Sequence, residues 1–355
     1  MKANSIPSEI IGKLNTGVVI PAMPLALNSK RKLDERRQRA LIRYYLDAGS
    51  GGLAVAVHTT QFAIRKPEVG LYGPLLSIAS EEFNSFASKT GNQVIRIAGV
   101  IGKTDPALKE AGIALEKGFH AVLLSLAAFK DSTNREIIKH CREIAEVMPV
   151  IGFYLQPAVG GRKLDVNFWR EFATIDNVIA IKIAPFNRYQ TFDVLRGVVE
   201  SGRSEKIALY TGNDDNILVD LLSEYEIKHD NKVTKKKIVG GLLGHWAVWT
   251  KSAVSLLNSV HSGQYDKEIK KTLNLANRIT DSNAAFFDAS NNFAGCITGL
   301  HEVLRRQGLL EGLWTLDPEE ALSPGQKEEI DRVYEAYPEL NDDNFVAENI
   351  DRWLA

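Results

Sequence analysis

The 355-residue chain is 45% hydrophobic and 25% charged, with 43 Lys and Arg against 44 Asp and Glu. That is the composition of a globular protein long enough to bury a large core, and a net charge of -1 gives no electrostatic reason to expect nucleic acid or an anionic membrane as partner. No apolar run reaches the ~20 residues of a membrane helix, MKANSIPSEI lacks the apolar stretch of a signal peptide, and Cys141 and Cys296 stand outside any C-x-x-C pair. A cytoplasmic protein with buried free thiols is expected.

In chain order, short apolar and β-branched runs predict strands at 17–20 (GVVI), 52–57 (GLAVAV), 94–100 (VIRIAGV), 120–124 (HAVLL), 150–154 (VIGFY), 178–183 (VIAIKI), 207–211 (IALYT) and 238–243 (IVGGLL). They are nearly continuous rather than alternating, as in strands of a parallel sheet covered on both faces. The segments between them carry helix signals. Residues 33–49 open acidic and stop at glycine, 104–118 begin Thr-Asp-Pro, 132–149 repeat apolar residues at helical spacing, and 165–175 open on an Asp cap. Residues 187–200, 214–224 and 249–262 complete the series. This alternation predicts an α/β fold, a (β/α)8 TIM barrel over residues 1–262. The absence of G-x-G-x-x-G after the first strand disfavours an open dinucleotide-binding sheet and NAD. The lysine-rich stretch 226–237 reads as a solvated loop. Residues 263–355 are expected to form a C-terminal helical region packed on the barrel, with helices over 264–287, 290–307 and 324–337.

Active sites of such barrels lie at the carboxyl ends of the strands. The polar residues expected there are His58, Thr59, Thr60 and Gln61 after strand two, Ser125 after strand four, and Tyr154 on strand five. Lys182 lies on strand six, Asn213, Asp214 and Asp215 follow strand seven, and His245 and Trp246 follow strand eight. Lys182 stands out because Ile181 and Ile183 flank it. An ammonium in an apolar strand is costly, so the amine is either a nucleophile freed by desolvation or a strand-end cation that snorkels or pairs with a carboxylate. Tyr154 ends the preceding strand, about 4.8 Å away. It reads either as a proton shuttle for imine chemistry or as a core tyrosine. His245 and Trp246 read either as a substrate-facing pair with His58 or as aromatics packed under the last helices. Asn213, Asp214 and Asp215 bind hydroxyls or cap the next helix. A metal held by His58, His245 and Asp214 has no supporting spacing motif, and neither metal nor cofactor is expected.

These segments resemble the dihydrodipicolinate synthase / N-acetylneuraminate lyase family. Tyr154-Leu155-Gln156-Pro157 matches the Tyr and Pro of its Y-N-x-P pattern. Ala180-Ile181-Lys182 matches its G-[IV]-K pattern apart from the glycine, and the spacing between Tyr and Lys is close to the family's. LDERRQRALIRYYLDAGSGGLAVAVHTTQ resembles the first helix and the G-T-T-G-E loop, and IAGVIGKT, GNDDN and GGLLG also fit. The departures are specific. His58 and Gln61-Phe62 replace the glycines and glutamate around the two threonines, Phe129 stands where the family has a relay tyrosine, and Arg162 is displaced from the family's carboxylate-binding arginine.

The resemblance implies a Schiff-base lyase, aldolase or dehydratase acting on a 2-oxo acid or related carbonyl compound, other than dihydrodipicolinate synthase itself. Lys182 would be the nucleophile and Tyr154 the proton carrier. Thr59 and Thr60 would bind an oxyanion or carboxylate, and His58, Asn213 and His245 would contact substrate. A homodimer or homotetramer is implied in the same way. The alternative is a catalytically altered barrel that serves as a ligand-binding or regulatory protein, suggested by the missing hydroxyl at Phe129 and the altered threonine loop.

Overall fold

The computed structural model describes residues 1–265 and 267–355. The elements run α1 (Ser8–Thr16), β1 (Val19–Pro21), α2 (Glu35–Ala48), β2 (Gly52–Val55), α3 (Tyr72–Thr90), β3 (Ile95–Val100), α4 (Thr104–Glu116), β4 (Ala121–Leu124), α5 (Asn134–Val147), β5 (Val150–Leu155), α6 (Val166–Ala173), β6 (Val178–Ala184), α7 (Arg188–Glu200), β7 (Ala208–Thr211), α8 (Ile217–Leu222), β8 (Glu224–His229), β9 (Lys232–Lys237), β10 (Gly240–Leu243), α9 (Thr250–His261), α10 (Ile269–Phe286), α11 (Cys296–Arg306), α12 (Gln326–Ala336) and α13 (Asp343–Leu354). Eight strands, β1 to β7 and β10, alternate with helices. The fold is a (β/α)8 TIM barrel with further helices after its last strand. Among the described residues no helix is long and apolar enough to cross a membrane.

The chain groups into two compact units, Met1–Val18 with Ile95–Leu242, and Val19–Val94 with Leu243–Ala355. In the first, β3, β4, β5, β6, β7 and β10 pair in that order, all parallel. Strands β4 to β7 are buried along their whole length, which is why their sequences show no alternation. The helices start where side chains satisfy the first amides. Thr133 and Glu136 form a capping box at α5, Asp165 accepts from the Phe168 amide at 2.9 Å, and Asn187 accepts from the Gln190 amide at 3.1 Å. In the second unit, β1 and β2 meet through the Ala22–Ala54 bridge, and α2 packs against α3, α9 and α13.

Two differences from the sequence reading have plain causes. Residues 226–237 are not a loop: β8 and β9 form an antiparallel hairpin in which Glu224 faces Lys237 and Glu226 faces Lys235. Asp230 and Asn231 both take positive φ, 46° and 60°. That is the geometry of a two-residue turn matched to strand twist. Second, α1, α3 and α13 form where no helix was expected.

Burial of histidine sets the acid stability. His120, His140, His245 and His301 are each buried, and desolvation pulls each down to about 4. Each stays neutral in the fold while the unfolded chain takes up a proton near 6.5. Their contribution is therefore complete above pH 6.5 and lost as pH falls towards 4. The loss is about 1.4 kcal/mol per pH unit for each histidine across that window. The urea midpoint is expected to drop markedly between pH 7 and pH 5.5. An unchanged midpoint would contradict the burial.

Candidate active site

Strand parity decides which residues share a face with Lys182. In the β5–β6 ladder Phe153 is level with Lys182, and Gly152 is level with Ile181. A Cβ on Gly152 would lie 2.6 Å from Phe172 of α6, so that face of the ladder looks at the helices. Phe153 and Lys182 therefore point to the inner face. The Lys182 nitrogen stands 4.5 Å from the centre of the Phe153 ring, and the residue is 8% exposed. A ring face at that distance favours a cation there, against the cost of removing it from water.

Gly212, just beyond β7, closes the other side. A Cβ at that position would lie 2.5 Å from Lys182 Cε and 2.8 Å from the Ala184 side chain. The lysine stem fits only because this residue has no side chain. The Gly212 amide donates to the Ile183 carbonyl at 2.7 Å, which keeps the loop against the strand.

Tyr154 is turned away. It is level with Ile183 on the helix side, its ring lies 5.1 Å from that of Trp169, and its hydroxyl donates to the Leu164 carbonyl at 3.1 Å. Burial pushes its pKa up to about 12. The expected meeting of the Tyr154 hydroxyl with the Lys182 amine is not what the structure has. Tyr154 braces the chain leading into α6, and Phe153 occupies the position beside the amine. Tyr154→Phe is thus expected to change kcat/KM less than about threefold. It should cost about 1–2 kcal/mol of stability through the bonds to Leu164. A rate loss of a hundredfold with an unchanged urea midpoint would overturn this placement.

Asn213 is also structural. It is fully buried, its amide group donates to Asp220 at 2.9 Å and Thr191 at 3.3 Å, and its side-chain oxygen accepts from the Phe186 amide at 3.0 Å. Phe186 has φ 51°, a strained conformation for a bulky residue two positions past β6. Asn213 therefore pins the turn that leaves the lysine strand rather than offering its side chain to a substrate. Asp215 lies 3.8 Å from Arg188, and desolvation raises its pKa.

In the other unit the threonine hydroxyls are committed. Thr59 donates to the carbonyls of Ala22 (2.8 Å) and Met23 (3.2 Å), and Thr60 to that of Met23 (2.6 Å). Their hydroxyl hydrogens hold the end of β1, which leaves the backbone amides, not the hydroxyls, for the expected contact with an oxyanion or carboxylate. His58 sets its ring edge-on to Phe62 at 5.8 Å. His245 stacks on Phe286 of α10 at 5.7 Å and lies 3.4 Å from the Asn283 amide group. With Trp246, Trp249 and Ser252 it lines a cavity of about 280 Å³ on the flank of α9. Among the described residues, no three His, Cys, Asp or Glu side chains are placed to hold a metal ion.

Phe153 and Gly212 are the neighbours of Lys182 that sequence reasoning missed. The signal for Gly212 is a glycine directly after an apolar strand next to the lysine strand. Phe153 has none, because strand parity is not visible in a continuous apolar run.

The model of the dihydrodipicolinate synthetase family matches residues 15–224. A curated 4-hydroxy-tetrahydrodipicolinate synthase from Oceanobacillus iheyensis is 24% identical over 208 residues, 57% of this chain. That match spans 64% of the relative's length, less than two thirds. Among solved structures, dihydrodipicolinate synthase from O. iheyensis superposes with a TM-score of 0.73 at 17% identity, covering 93% of this chain and 99% of that one. The chloride-inhibited Acinetobacter baumannii enzyme complexed with pyruvate gives a TM-score of 0.71 at 18% identity, covering 90% and 98%. A prophage protein of the dihydrodipicolinic acid synthase family from E. coli K12, in complex with pyruvate, gives 0.71 at 17%, covering 92% and 99%. With the family model matched over more than half its length, the chain belongs to the dihydrodipicolinate synthetase family.

Proposed function

We propose that this protein is a Schiff-base lyase or aldolase in which Lys182 condenses with a 2-oxo acid or a related carbonyl compound. The observation that carries this reading is the lysine itself, buried at the inner face of β6 with its nitrogen 4.5 Å from the Phe153 ring centre and its stem against Gly212. The amine in its neutral form attacks the carbonyl carbon. The carbinolamine loses water, and the resulting iminium carries its positive charge over the Phe153 ring. An iminium withdraws the electron pair of an adjacent C–H, C–C or C–O bond, so that bond breaks or, in reverse, forms. The bound pyruvate in two structural relatives supports a 2-oxo acid as substrate class.

The departures from the family pattern bear on proton transfer. Phe153 brings no hydroxyl to the amine, Tyr154 faces Leu164 and Trp169, and Phe129 is a hydrocarbon ring tilted against His140, its centre 4.4 Å away. Neither Tyr154 nor position 129 then carries protons at the carbinolamine step. These same substitutions favour a second reading, in which the barrel keeps Lys182 but has lost or changed the chemistry and serves as a ligand-binding or regulatory protein.

Exchange of the C3 protons of pyruvate with deuterated solvent tests the first reading, because exchange requires the enamine form of the adduct. Exchange by the wild type and none by Lys182→Ala is expected. Equal exchange by both would remove Lys182 from the chemistry.

A further inference from the structure

We propose that Gln61 is a positioning residue for the threonine loop, tying it through Leu316 to the segment that joins α11 to α12. This role rests on the Schiff-base reading above, with the loop's backbone amides meeting the substrate's carboxylate as the family resemblance implies. The tie is a feature of this chain, since the family pattern has a glycine where Gln61 stands.

A glutamine at this position is unfavourable on two counts. Its backbone takes φ 67° and ψ 117°, a region that glycine enters freely and other residues rarely do. Its side chain is 6% exposed, and the amide nitrogen has no partner among the described residues. A buried donor without an acceptor also costs stability. Glycine would avoid both. What glutamine adds is its oxygen, which accepts from the Leu316 amide at 2.6 Å, 255 residues away in sequence. Backbone strain of this kind persists where the surroundings over-determine the conformation, and it clusters at ligand sites.

The segment on the other end of the tie is itself held firmly. Residues 307–325 form neither helix nor strand, and an irregular run of that length inside a fold usually serves a site. Arg31, in the loop after β1, donates to the Thr315 and Pro318 carbonyls. Thr315 is fully buried, with its hydroxyl on the Asp317 carbonyl at 2.6 Å. Ser323 donates to Asp288 near the far end. The segment therefore lies against the chain that leaves β1 and β2, at the strand ends where this architecture carries its chemistry. The threonine loop is anchored twice, by its hydroxyls on the Ala22 and Met23 carbonyls and by the Gln61 oxygen on Leu316. Removing the second anchor leaves the hydroxyl anchors in place but frees the turn at residue 61, and with it the aim of the amides beside it. Binding of a carboxylate suffers, and binding of a neutral ketone does not.

The test measures borohydride-trapped adduct against the concentration of pyruvate and of acetone in wild type, Gln61→Met, Leu316→Pro and the double variant. Gln61→Met removes the acceptor, and Leu316→Pro removes the N–H. The half-saturating pyruvate concentration is expected to rise about 10-fold in either single variant. The double variant should stay within about twofold of the singles, because one tie can be lost only once. Acetone should be unaffected throughout. An unchanged pyruvate curve in Gln61→Met overturns the assignment. So does an equal loss for acetone, the mark of a merely structural residue, or a double variant in which the two single effects multiply. Should Leu316→Pro fail to fold, the pyruvate and acetone curves of Gln61→Met decide alone. In each of these cases the Lys182 adduct of the wild type stands. Absence of any wild-type adduct with either compound brings down the Schiff-base reading, and this role with it.

Discussion

Replacing Lys182 by methionine is expected to lower turnover of a 2-oxo acid on the order of 10³-fold or more while leaving the fold as stable or more stable. The two effects have opposite signs because the amine is useful and costly at once. It is buried between Ile181 and Ile183, with Phe153 and Gly212 against it. Methionine fills similar space without a charge to desolvate. Steady-state rates and urea midpoints, measured on the same preparation, check both. Retained turnover would sink the proposed role of the amine. A collapse of stability would show that the lysine is structural.

Asp220→Ala is expected to cost about 3–5 kcal/mol of stability. Asp220 is fully buried, and it accepts from the Thr211 hydroxyl at 2.8 Å, the Asn213 amide at 2.9 Å and the Asn216 amide at 3.0 Å, besides pairing with Arg188. Arg188 is 41% exposed and finds water when its partner is removed. The cost comes instead from the hydroxyl and amide donors left without an acceptor in the interior. Activity should fall as well, since Asn213 then loses the anchor through which it holds the strained Phe186 after β6. The check is the urea midpoint at constant m-value. A change below 1 kcal/mol would mean that water replaces the carboxylate and that the network is dispensable.

Most of the scaffold was legible because burial on both faces writes itself as unbroken apolar runs. All eight barrel strands lie where VIAIKI, VIGFY and their counterparts predict them. The hairpin β8–β9 was not read, since its Glu–Lys pairing makes each strand look solvated. Its signal was the Asp230-Asn231 pair between two alternating segments. Helix α3 was missed because Pro74 and several Ser and Asn residues give it the composition of a loop. The candidate residues were legible by strand but not by face. The β5–β6 register shifts between Val150 and Ile151, and a one-residue change of parity exchanges Tyr154 for Phe153 beside the lysine. The roles of Thr59, Thr60 and Asn213 depend on the Ala22, Met23 and Phe186 backbone, which no motif reveals.

Borohydride reduction in the presence of pyruvate, followed by digestion and mass spectrometry of the peptides, tests the central claim most directly. The account predicts the mass of reduced pyruvate on Lys182 and on no other lysine. Modification of another lysine, or none at saturating pyruvate and across other 2-oxo acids, would contradict it.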